Sequence, residues 1–135
     1  MIDAEFARAF ERGEIPPSAF SHLAHVRLAW VYLHEAPTFD AALTRIRDGI
    51  QHFAASAGAA RKYHETITVL WMRLLIDARA RVPAGCTFHD LLQRCPELGD
   101  KDLPLRYYSR ERLFSDAARA GWVAPDLIDI AAGGA

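Results

Sequence analysis

Cysteine is scarce in this chain. Only Cys86 and Cys95 occur in 135 residues, at a spacing that fits no short metal or redox pattern. They read as reduced thiols filling small apolar spaces. Long apolar runs are missing too: nothing approaches the roughly 20 residues needed to cross a bilayer. The first residues, MIDAEFARAFERGE, are charged and amphipathic and contain no signal-peptide core. The expectation is a cytoplasmic protein without a membrane partner. Net charge is nearly absent, at -1, so no broad basic surface calls for nucleic acid. There is no Gly-rich phosphate loop, no Rossmann pattern and no zinc-ribbon spacing. No nucleophilic Ser or Cys motif stands beside a base. Strand-like alternation is rare.

What remains is helical periodicity in a chain that is 51% hydrophobic and 24% charged, a composition suited to one soluble domain. Asp3 reads as the N-cap of a first helix over residues 4 to 12, stopped by Gly13. Pro16 and Pro17 force an extended turn. A second helix starts after Ser18 or Ser21 and ends near Glu35. Thr38 caps a third, whose stripe is Phe39, Ala42, Ile46, Ile50, Phe53 and Ala57, and Gly58 closes it. A fourth runs from about Ala60 to Arg81, before Pro83 and Gly85. Thr87 caps a short fifth helix through Cys95. Ser109 and Ser115 cap two further short helices, and Gly121 and Pro125 break the last. The expected fold is all-α: a compact bundle of about five main helices with a looped C-terminal segment, in a single domain spanning 1–135.

The six histidines are the feature that asks for chemistry. At about 100° per residue, spacing sets facing. In FSHLAHVRLAW, His22 and His25 share the apolar face of the second helix with Val26, Ala29 and Leu33. In KYHETITVLWMRLL, His64 aligns with Ile67, Thr68, Trp71 and Leu75. Thr66, Arg73 and Asp77 point away, and Glu65 stands at the side. His34, His52 and His89 fall on polar faces. Three inward rings suggest a histidine-lined pocket, because a buried imidazole needs partners for both nitrogens.

One chemistry for such a pocket is a divalent metal, zinc or iron, held by His22, His25 and His64. Glu65 is then a fourth ligand or general base, and His64 with Glu65 form the catalytic pair. A second is metal-free acid/base catalysis by the same rings. A third is structural: each ring bonds a carbonyl, hydroxyl or water and does nothing else.

The segment LRYYSRERLFSDAARAGWVAPDL adds arginine forks and two phenols. Arg112 and Tyr108 are its candidate substrate-binding residues, in a lid facing the histidines. The expected partner is a small polar or anionic ligand, with a homodimer left open. The rival expectation is a non-catalytic binding or protein-interaction module.

FSHLAHVRLAWVYL, KYHETIT and YYSRERLFSDAARAGWVAPDL together resemble a family of small bacterial helical proteins to which no activity is attached. That resemblance implies a helical fold and assigns no residue a role. A looser likeness is to DinB-like four-helix proteins, which present three histidines from a bundle. Their HxxxH pair is HxxH here, at His22 and His25, so that likeness is one of architecture alone.

Overall fold

The computed structural model describes residues 2–130. Its described residues form helices, turns and loops, with no strand. Among the described residues seven α-helices occur in order: α1 (Asp3–Glu11), α2 (His22–Glu35), α3 (Phe39–Ser56), α4 (Glu65–Ala80), α5 (Phe88–Arg94), α6 (Arg110–Leu113) and α7 (Asp116–Ala120). The all-α expectation holds. Contacts divide the chain into two units, one up to Tyr63 and one from His64 onward.

Cap chemistry explains most helix starts. The hydroxyls of Ser21, Thr38, Thr87, Ser109 and Ser115 each accept an N–H from the first turn of the helix that follows, relieving donors that have no partner inside the helix. Thr87 and Asp90 complete a reciprocal capping box. Gly13, Gly58 and Gly85 take positive φ, which favours a residue without a Cβ at these chain reversals. One expected cap fails: α1 begins at Asp3 itself, behind Ile2, with no side-chain cap.

In the N-terminal unit α1 packs on α2 and α2 on α3. Arg27 ties α1 to α2, with Nε 2.8 Å from Asp3 and its guanidinium 4.7 Å above the Phe6 ring. Phe10 stacks on Phe20 at 4.9 Å and on Phe53 at 5.4 Å, and Phe20 meets Phe53 tilted at 4.6 Å. Gly49 of α3 allows the close approach of α1, since a Cβ there would stand 3.2 Å from the Phe10 ring.

In the C-terminal unit α4 packs on α7 and α6 on α7. The expected fourth helix is broken. Ala60–Lys62 is a 3-10 turn, Tyr63 and His64 are extended, and α4 starts only at Glu65. α4 is buried on more than one face: Thr66, Val69, Leu70, Trp71, Leu74 and Leu75 are all buried. The expectation that Thr66 points away is therefore corrected, because a helix covered on several sides has no single apolar stripe.

Candidate functional site

His64 is the residue whose role changes most. It stands ahead of the helix, as the N-cap of α4. Its Nδ1 accepts the Ile67 N–H at 3.1 Å, and its Nε2 donates to the Leu113 carbonyl at 2.6 Å. Those two bonds fix the neutral tautomer with the proton on Nε2. The ring is buried, and Phe114 meets it edge-on at 6.4 Å. Desolvation, aided by the charge of Arg119, holds its pKa below the ordinary value, while the bond to Leu113 opposes the shift.

His22 and His25 belong to the N-terminal unit, and both are half-buried. His64 and His25 thus meet apolar surroundings as expected, His25 against the buried Phe20 ring, and His22 is half-buried. The Nδ1 of His25 donates to the Ser21 carbonyl at 2.9 Å, and its ring lies 3.9 Å from Phe20. Burial pushes its pKa down. His34, His52 and His89 are exposed, as their helix faces predict. Among the described residues, no three His, Cys, Asp or Glu side chains are grouped so as to hold a metal ion.

Tyr108 and Arg112 lie in the C-terminal unit with His64 and Glu65, and both are engaged by the chain itself. Tyr108 is fully buried. Its hydroxyl donates to the Val123 carbonyl at 2.6 Å, and burial pushes its pKa up to about 12. Arg112 Nε donates to the Ala124 carbonyl at 2.6 Å. Thr66 joins them: its hydroxyl donates to the Gly121 carbonyl at 2.7 Å and accepts the Val123 N–H at 3.2 Å. Asp126 accepts from the backbone and hydroxyl of Ser109 at 2.8 and 2.7 Å, which lowers its pKa. Trp122 meets Tyr108 edge-on and carries the Arg73 guanidinium 4.7 Å above its ring. The segment after α7 is thus a strap, held through its own backbone.

The N-terminal unit holds a groove of about 530 Å³ that sequence reasoning did not anticipate. Phe10, Ile15, Gly49 and Phe53 form its floor with the buried Tyr32, and exposed Pro17, Glu11, Asp48 and His52 stand at its rim beside Arg45. Tyr32 donates to Glu11 at 2.7 Å. The Arg45 guanidinium lies 4.1 Å over the Tyr32 ring, with Glu35 at 3.1 Å and Glu11 at 3.4 Å. Arg8 closes the cluster, 2.9 Å from Glu11 and 2.8 Å from Glu35. Burial and the Glu11 bond raise the Tyr32 pKa, so the phenol stays protonated and works as a donor. Only part of this was visible in sequence: Arg45, Gly49 and Phe53, and likewise Asp48 and His52, follow at four-residue spacing on α3.

No family model, curated protein or solved structure matches the chain. The residues themselves therefore carry the functional argument.

Proposed function

We propose that this protein is a non-catalytic binding module. Its histidines serve the fold, and its ligand is a small molecule with an apolar body, bound in the groove of the N-terminal unit. One observation carries the choice over a histidine-centred enzyme: both ring nitrogens of His64 are spent on backbone groups. An acid/base or metal-ligand role would require giving up either the cap of α4 or the tie to Leu113. The groove supports the binding half of the reading. At about 530 Å³, with aromatic floor and polar rim, it falls within the ordinary range for small-molecule sites. This reading keeps the module in the cytoplasm, where unpaired Cys86 and Cys95 fit.

The test is an NMR screen of aromatic fragments against the full chain, beside a titration with zinc. The proposal expects fragments to shift the resonances of Gly49 and Phe53. A Ser56→Trp variant, which places a bulky ring at the exposed edge of the groove, should abolish those shifts. Silence at Gly49 and Phe53, or stoichiometric zinc binding seen at His22, His25 and His64, would overturn it.

A further inference from the structure

Resting on that reading of the groove, we infer its ligand class: a small organic cation, a protonated amine carried on a flat apolar body. The floor is built for the body. Phe10 and Phe53 lie 5.4 Å apart in the aromatic stack, beside Ile15.

The rim sets the sign of the charge. Arg45 looks like an anion receptor in sequence, but its guanidinium already faces two carboxylates and covers the Tyr32 ring. Arg8 and Arg45 balance Glu11 and Glu35, so the cluster of four is neutral. Asp48 is the surplus. It sits one turn beyond Arg45 on α3, exposed at the groove, and its carboxylate makes no hydrogen bond or ion pair among the described residues. His52, one turn further, is also exposed at the same rim. An entering anion would meet an uncommitted carboxylate and a guanidinium already facing two others. An entering ammonium meets the carboxylate directly, with its apolar body on the phenylalanines.

The experiment is an NMR titration of the full chain with three probes of similar size: 2-phenylethylamine, 2-phenylethanol and 3-phenylpropionate. The amine should shift Gly49 and Phe53 and bind about three- to tenfold tighter than the alcohol, as one exposed charge pair allows. The carboxylate should bind weakest. Raising the salt should narrow the gap between amine and alcohol. Asp48→Asn, an exposed substitution that leaves the fold intact by far-UV circular dichroism, should erase that gap. If all three probes bind alike, or if the amine keeps its advantage in Asp48→Asn, the ligand class is wrong while the groove reading stands. If none of them shifts the groove residues, the groove reading fails as well.

Discussion

Thr66→Val is the sharpest probe of how the C-terminal unit is held. Valine keeps the shape of threonine and replaces the hydroxyl with a methyl. Two strap groups then lose their partner: the Gly121 carbonyl, 2.7 Å from the hydroxyl, and the Val123 N–H, 3.2 Å from it. Each costs about 1 to 3 kcal/mol when left unpaired in the interior. Gly121 and Val123 are only half-buried, so water reaches them in part and the low end applies. The expected loss is about 2 kcal/mol, read from urea denaturation followed by circular dichroism. Thr66→Ser makes the control. It keeps both bonds and removes one buried methyl, worth about 1 kcal/mol. The polar contact therefore predicts that the larger valine costs more than the smaller serine, the reverse of what packing alone would give. Hydrogen exchange at the Val123 amide should also speed up in the valine variant only. A valine loss under about 0.5 kcal/mol, or one below that of serine, would refute the assignment.

The remaining expectations follow the same geometry. His64 has a folded pKa below its unfolded value of about 6.5, so folding favours the neutral ring. Its contribution is fully present above about pH 6.5 and is lost as pH falls through the folded value. Asn at position 64 keeps an N-cap oxygen and does not titrate; His64→Asn should flatten the fall in stability between pH 7 and 5, and an unchanged fall refutes the role. Gly49→Ala would gain up to about 1 kcal/mol in an open helix, but here its Cβ meets Phe10, which is held in the aromatic stack. Denaturation should show no gain and a loss of up to about 1 kcal/mol, and a clear gain would show that Phe10 yields. His52→Ala and His89→Ala should each change stability by less than about 0.5 kcal/mol. His34→Ala should cost more than either, because its Nδ1 donates to the Trp30 carbonyl at 2.8 Å and its ring packs on Trp30 at 4.3 Å.

Sequence reasoning located helix starts wherever the signal was local. Ser21, Thr38, Thr87, Ser109 and Ser115 each cap through one hydroxyl and one nearby amide, so neighbouring residues suffice to read them. His64 capping α4 was not legible: imidazole is not among the usual caps, and helical periodicity ran without interruption through Lys62, Tyr63 and His64. The Arg112 fork was legible as a donor. Its acceptor was not, because every residue carries a backbone carbonyl and none announces itself in the sequence. The groove drew Glu11, Tyr32 and Arg45 from three separate helices, and only packing brings such residues together. Facing arguments placed the buried Ala42 and Ile46 of α3 and the buried Trp71 and Leu75 of α4, and failed for Ala57, which is exposed, and for Thr66, which is fully buried.

The strap after α7 is gripped by its peptide groups: Gly121, Val123 and Ala124 are each held through a backbone atom. Such a grip reads conformation and is indifferent to most of the letters being held. Val123 and Ala124 can thus be rewritten freely, provided the new residue keeps an extended backbone and Val123 keeps its N–H. The positions that do the gripping, Thr66, Tyr108 and Arg112, cannot. For anyone attaching a reporter or grafting a peptide onto this scaffold, Ala124 is an exposed, tolerant address, and a single change at Thr66 would spoil it from more than fifty residues away.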